Sequence, residues 1–159
     1  MGAENESQID QRIVEKVSVL RKQAIFAHGK IIDETGGTYG IRDQALLESA
    51  IAAPYATFFG EDLHQSVFDK AAALMRSLSV NHPFNDGNKR TSLVMTASFL
   101  FEHGYSIKDS VNDDELVDLC IDVAKGEQRV EEISSWLAGN ANRASAKSFR
   151  SVIEKLYDF

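Results

Sequence analysis

The sequence predicts an all-α protein, a compact helical bundle of about six to seven helices with an added C-terminal helix. Three observations carry that prediction. Apolar residues recur at three- and four-residue spacing along most of the chain, no alternating stretch is long enough for a sheet, and glycines fall just past several periodic runs, where helices stop. At 159 residues the chain is a single domain able to bury a conventional core without disulfides or structural metal. Residues 1–7 read as a disordered leader, 8–138 as the main domain, and 139–159 as a linker and amphipathic helix.

Taken in order, Ile13, Val17, Leu20, Ala24, Ile25, Ile31 and Ile32 predict one long helix or two joined ones, ending before Gly36 and Gly37. His28 lies within this run and reads as structural. The segment Gly36 to Gly40 is a glycine-punctuated turn without dinucleotide or Walker A spacing, so it reads as a connection. Asp43 caps a short helix toward Pro54 with Leu46, Leu47, Ala50 and Ile51 on its apolar face. Tyr55 to Gln65 is aromatic and irregular: either a flap near a site or, by slight preference, a loop packed onto the core. Ser66 caps a helix whose stripe of Val67, Ala71, Leu74, Met75, Leu78 and Val80 delivers His82 at its end.

Leu93, Val94, Ala97, Leu100 and Phe101 form the next helix, starting near Gly87 or Asn88 and capped by Gly104. Tyr105 to Ile107 is short and extended. A helix from Asp113 or Asp114 runs through Ala124 to Gly126, and another from Val130 to Leu137 turns Ile133, Trp136 and Leu137 to one side before Gly139. In the tail, Phe149, Val152, Ile153, Leu156 and Tyr157 share one helical face.

Composition excludes several classes. A net charge of −7 and a pI near 5.1 argue against sequence-independent nucleic-acid binding, which depends on cationic neutralisation of phosphates. The one cysteine, Cys120, sits beside Leu116, Leu119 and Val123 and reads as a core residue, so no disulfide framework exists and a reducing cytoplasm is compatible. The first residues carry no secretory apolar region, and no stretch is long enough to span a bilayer.

The chemistry is concentrated in HPFNDGNKRT, His82 to Thr91. Ten residues hold one imidazole, one carboxylate, two amides, two cations and one hydroxyl. The helix that follows begins with Lys89 and Arg90, where free backbone N–H groups and the helix dipole favour negative charge. A bound phosphate resolves that conflict by accepting from the amides while the two side chains neutralise it. Gly87 lets the backbone come close, Phe84 anchors the loop to the core, and Pro83 pre-sets its backbone, so that His82 and Asp86 are held in place. His82, with an ordinary pKa near 6.5, is a candidate base, and Asp86 a hard oxygen ligand suited to magnesium. Asn88, Lys89, Arg90 and Thr91 complete the candidate phosphate site; Thr91 either donates to phosphate or bonds its own helix.

This loop resembles the signature of the Fic and death-on-curing (Doc) family, His-x-Phe-x-Asp/Glu-Gly/Ala-Asn-Lys/Gly-Arg. GGTYGIRDQALLESAIAAP, from Gly36 to Pro54, and the run from Phe68 to His82 look like the Doc branch, and the resemblance extends roughly from Gln23 to Leu137. It implies a compact helical catalytic domain with His82 as general base, Asp86 as magnesium ligand, and Asn88 and Arg90 on nucleotide phosphates, with Phe84 and Asn85 supporting the loop. Lys89, where AMP-transferring Fic proteins have glycine, and Leu93, where they have a second arginine, point to the Doc branch; Pro83 and Gly87 are Fic-like. The implied activity is ATP-dependent transfer of the γ-phosphoryl to a protein hydroxyl, a threonine of elongation factor Tu, with a Phd-like antitoxin as partner.

Two alternatives stay open: a Fic-type AMP-transferase using the same base and metal site, and a catalytically idle helical binding module. A metal hydrolase built on His64, His82 and His103 lacks any recognisable ligand spacing. Doc-like chains often end near the preceding helix, which makes the tail an extension: a packed final helix, or else a lid, dimer contact or self-inhibitory element. The tail does not contain the Ser/Thr-x-x-x-Glu-Gly/Asn motif of self-inhibited Fic proteins.

Overall fold

The computed structural model describes residues 6–157, without the side chains at 148–149, 152–153 and 156–157. Residues 1–5 of the expected leader, and the side chains of the apolar tail face Phe149, Val152, Ile153, Leu156 and Tyr157, therefore lie outside the described residues. The architecture is all-α, with seven helices among the described residues and two short strand pairs.

Helix α1 spans Glu6–Thr35 without a break, so Glu6 and Ser7 of the expected leader are helical, with Glu6 placed where the dipole favours an acid. Leu20, Ala24, Ala27, His28, Ile31 and Ile32 line its buried face. Helix α2, Gln44–Ala52, is capped by Asp43, whose Oδ1 accepts from the Leu46 N–H at 3.0 Å. Helix α3, Val67–Asn81, starts with a reciprocal capping box between Ser66 and Asp69. Helix α4 covers Asn88–Glu102, α5 Asp113–Ala124, α6 Val130–Gly139 and α7 Ala146–Tyr157.

The bundle is organised around α4. Seven consecutive residues, Thr91 to Ala97, are all buried; two turns enclosed on every side place this helix at the centre of the core. Helix α3 packs closely along it, helped by Ala71, Ala72 and Ala73 and by a buried hydrogen bond between the Ser79 and Ser92 hydroxyls at 2.8 Å. Helices α1, α5 and α7 also contact α4, while α2 and α6 pack on α3. No helix among the described residues is long and apolar enough to cross a membrane.

Two expectations need correction. The Tyr55–Gln65 segment is not a loop packed onto the core: Thr57–Phe58 (β1) and Glu61–Asp62 (β2) form a hairpin that leaves Phe58 65% and Phe59 91% exposed. Its two central residues, Phe59 and Gly60, both have positive φ, at 50° and 80°, which matches the right-handed twist of the strands. The Lys70 ammonium anchors the hairpin base, donating to Asp62 Oδ2 at 3.0 Å and to the His64 carbonyl at 2.7 Å. Only Tyr55 of the three aromatics packs against the core.

The stretch read as a linker is also structured. Gly139 is the last residue of α6, and Ala141–Arg143 (β4) pairs antiparallel with Tyr105–Ile107 (β3), Ser106 opposite Asn142. A three-residue polar strand has no periodicity to betray it; its partner is fixed only by the folded position of α4. Helix α7 then lies against α4, β3 and α1.

Cys120 is buried at 2% exposure, and desolvation pushes its thiol up to about 12. The native thiol should therefore resist Ellman's reagent at pH 8 and react on unfolding. Rapid reaction in the native protein would contradict the packing of α5 on α3 and α4.

Candidate active site

The loop between α3 and α4 is built by closing both helix ends against each other. Helix α3 stops at Asn81; His82 takes the left-handed conformation, φ 47° and ψ 57°, and Pro83 has no N–H with which to continue the helix. Phe84, 1% exposed, then plunges into the core, where the His28 ring stacks on it at 4.1 Å between centroids. His28 is thus a structural residue of the loop. Its Nε2 lies 3.0 Å from the Asp86 carbonyl, and a carbonyl accepts only, so this nitrogen carries the proton. Burial lowers the His28 pKa, opposed by that hydrogen bond and by the Asp86 charge.

Asn88 clamps the turn. Its Oδ1 accepts from the Phe84 N–H at 2.9 Å and its Nδ2 donates to the Phe84 carbonyl at 3.0 Å. The side-chain oxygen and one of the two Nδ2 hydrogens are thus committed to the loop, a task the sequence did not announce; the second Nδ2 hydrogen and the backbone N–H are the donors Asn88 has left for a phosphate. Thr91 needs a correction. It is fully buried, and its hydroxyl finds no hydrogen-bond partner among the described residues, so it neither faces a phosphate nor bonds its own helix. The reason is that α4 becomes enclosed from Thr91 onward.

Asp86 is presented to solvent, with its side chain 47% exposed. Its Oδ1 accepts from the Gly87 N–H at 2.8 Å, its Oδ2 from the Thr38 N–H at 3.3 Å, and Arg90 Nη2 lies 3.9 Å from Oδ1. Those two backbone donors, and then the Arg90 charge, hold the carboxyl below its ordinary range. Arg90 is fixed from its other side by a hydrogen bond to the Thr35 hydroxyl, which itself donates to the Ile31 carbonyl at 2.6 Å. Gly87, at φ 72°, is the N-cap of α4; the helix has no side-chain cap and no acid in its first turn. The N–H groups of Asn88, Lys89 and Arg90 therefore start an anion-receptive turn beside the Arg90 guanidinium. Lys89 is exposed, and its ammonium makes no hydrogen bond or ion pair among the described residues.

The Gly36–Gly40 segment, read from sequence as mere connection, is part of the site. It straps over the loop: the Asn85 N–H donates to the Gly40 carbonyl at 3.0 Å, Asn85 Nδ2 to the Tyr39 carbonyl at 2.9 Å, and Ile41 bridges to Phe84. A Cβ on Gly37 would stand 2.6 Å from Asp86 Oδ2, and the φ of 117° also disfavours any side chain there. The signal in the sequence was three glycines within five residues. His64 and His103 are not gathered with His82. His103 sits at the far end of α4, bonded through Nδ1 to the Phe99 carbonyl at 2.8 Å, and no cluster of three or more metal-ligating side chains occurs among the described residues. A cavity of about 420 Å³ near Lys16, Tyr55, Phe99 and His103 likewise lies at that opposite end.

A family model described as the Fic/DOC family matches residues 18–100, more than half of the chain and all of this loop. The chain belongs to the Fic/Doc family. Similar proteins include Toxin Doc of Mycolicibacterium smegmatis, 39% identical over 109 residues that cover 69% of this chain and 84% of that protein. Protein kinase doc of Escherichia phage P1 is 31% identical over 116 residues, 73% of this chain and 89% of the phage protein. The family match thus spans α1 from residue 18 to the buried body of α4, while α5, α6 and α7 lie beyond it.

Replacing Asn88 by Ala removes both hydrogen bonds to Phe84 and leaves a partly buried N–H and carbonyl unpaired. The Fic/Doc loop should lose about 2 kcal/mol of support, read as a lower urea midpoint with an unchanged slope. A midpoint equal to wild type would show that the clamp does not hold the loop.

Proposed function

We propose that this Fic/Doc-family protein is a Doc-type toxin, a magnesium- and ATP-dependent kinase that moves the γ-phosphoryl of ATP onto a protein hydroxyl and so arrests translation in the cytoplasm. The observation that carries this reading is the uncapped first turn of α4, with the Arg90 guanidinium and the exposed Lys89 beside it and the Asp86 carboxylate at its edge. That turn favours a polyphosphate over a neutral ligand. Asp86 fits magnesium as a lone carboxylate, because the ion is commonly held by one or two carboxylates together with phosphate oxygens and water. When bound, magnesium supplies charge neutralisation between phosphate groups.

The protein's own residues divide the work. Gly87, at φ 72° and with Ile32 Cδ1 3.3 Å from where a Cβ would stand, lets the chain turn tightly into α4 against α1; the first-turn N–H groups donate to phosphate oxygens, and Arg90 stabilises the charge that develops on the transferred group. His82, exposed at the other end of the loop, takes the proton of the acceptor hydroxyl as its oxygen bonds to the γ-phosphorus; the bond to the β–γ bridging oxygen breaks and ADP leaves. Lys89 sets the direction of the nucleotide, its side chain obstructing an α-phosphate where glycine would leave open backbone. The names of the two relatives support both the toxin and the kinase parts of the proposal. From the resemblance of the loop and its flanks to the Doc branch, we also propose that the acceptor is a threonine of elongation factor Tu and the neutralising partner a Phd-like antitoxin.

The test is to supply purified elongation factor Tu, and separately a cell extract, with ATP labelled on either phosphate. Label from the γ position is expected on protein, with His82→Ala lowering the rate by about two to four orders of magnitude. Label from the α position would establish adenylyl transfer instead. Absence of both would leave an idle binding module, and label on another protein alone would move the target.

A further inference from the structure

His82 occupies a backbone conformation that its own neighbours disfavour. A residue with a Cβ at φ 47° and ψ 57° is uncommon, and a residue followed by proline is pushed toward extended geometry, which this is not. Helices that end in a left-handed residue usually place glycine there. The imidazole is exposed and makes no hydrogen bond among the described residues, so no polar partner fixes it and the main chain sets the direction of its Cα–Cβ bond.

One residue holds that main chain. Arg42 Nε donates to the His82 carbonyl at 2.7 Å and Nη2 to the Asn81 carbonyl at 2.9 Å. Its backbone N–H donates to the Pro83 carbonyl at 2.7 Å, joined by the Asp43 N–H at 3.2 Å. Three successive carbonyls, at 81, 82 and 83, are therefore gripped from a single point. The planar fork matters: two donors fixed relative to one another set the angle between the Asn81 and His82 peptides, which a single flexible ammonium cannot do. Arg42 is itself rigidly placed, between the Ile41 bridge to Phe84 and the Asp43 cap of α2.

We propose that Arg42 is a positioning residue for His82: its guanidinium fixes the left-handed turn that aims the imidazole at the acceptor hydroxyl, without itself touching substrate. This rests on the reading of His82 as the base. It also gives the strap after α1 a second task. Residues 37 and 38 set Asp86 on the metal side, and residue 42 sets His82 on the acceptor side, so one segment fixes the spacing of the two ends of the loop.

The experiment reads structure and activity separately. In 13C-labelled protein, the His82 Cα and Cβ shifts report its backbone conformation whether or not any transfer occurs. Arg42→Ala should move them toward extended values, and should lower kcat by about 10- to 100-fold, as expected of a misdirected base, with ATP affinity within about twofold of wild type. Methylguanidinium in solution should restore part of the rate, because Arg42 is exposed. Arg42→Lys should fall between the two and serves for the same shift measurement should the alanine variant not fold. Unchanged His82 shifts would overturn the proposal, as would an unchanged kcat in a protein whose transfer depends on His82. Loss of ATP affinity in parallel with kcat, without rescue, would assign Arg42 a merely structural role. Should His82→Ala itself transfer at the wild-type rate, the reading of the base fails, while the shifts still decide whether Arg42 sets the turn.

Discussion

The pair of hydrogen bonds between the Asn88 side chain and the Phe84 main chain is the interaction on which the site depends. It joins the first residue of α4 to the loop residue most deeply seated in the core, and so forces residues 84–88 into a closed turn. Because α4 is enclosed on every side from Thr91, its start cannot drift, and the turn inherits that fixity. Phe84 extends the same constraint to α1 through its stack on His28, and to the strap through Ile41. The outcome is a short loop with a rigid floor and an exposed rim, on which His82, Asn85 and Asp86 are presented to solvent.

The electrostatics of the rim follow from what the helix start lacks. Most helices place an acid or a capping side chain in the first turn; here Gly87 occupies the cap and two cations follow. Asp86 partly answers that field, but it accepts from Gly87 and Thr38 rather than from the N–H groups of the helix interior, which leaves those groups available. A protein that kept such a turn only for stability would be better served by a serine or aspartate cap. The protein tolerates the opposite arrangement, along with a left-handed His82 before proline and a Phe59 at positive φ, in the segments that face solvent near its ends. Local irregularity of this kind is characteristic of functional surfaces.

Much of this was legible in the sequence, and the omissions have physical causes. The caps at Asp43 and Ser66 follow from side-chain chemistry acting within four residues, and the start of α4 from Gly87 and the apolar run behind it, so a linear reading finds them. The clamp by Asn88 spans the same distance, yet it went unread, because an amide can serve a loop, a phosphate or both, and only the geometry shows the two bonds to Phe84. Thr91 went astray for a related reason: one further residue along a helix turns a side chain by about 100°, enough to take it from the rim into the core. The strap at residues 37–42, the Thr35 contact with Arg90 and the β3–β4 pair depend on residues more than thirty positions apart, and no local pattern records them. The exposed hairpin was misjudged because aromatic residues ordinarily signal burial; the positive φ at Phe59 and Gly60 is what turns Phe58 and Phe59 outward.

The central claim is that the free N–H groups of the α4 first turn receive the phosphates of a nucleotide. Titrating 15N-labelled protein with magnesium and a non-hydrolysable ATP analogue tests it most directly. The backbone amide signals of Asn88, Lys89 and Arg90 should shift the most, downfield as they donate to phosphate oxygen, with those of the cavity around Lys16, Tyr55 and His103 unmoved. Shifts confined to that cavity, or saturation of the protein with the three amides unchanged, would contradict the account.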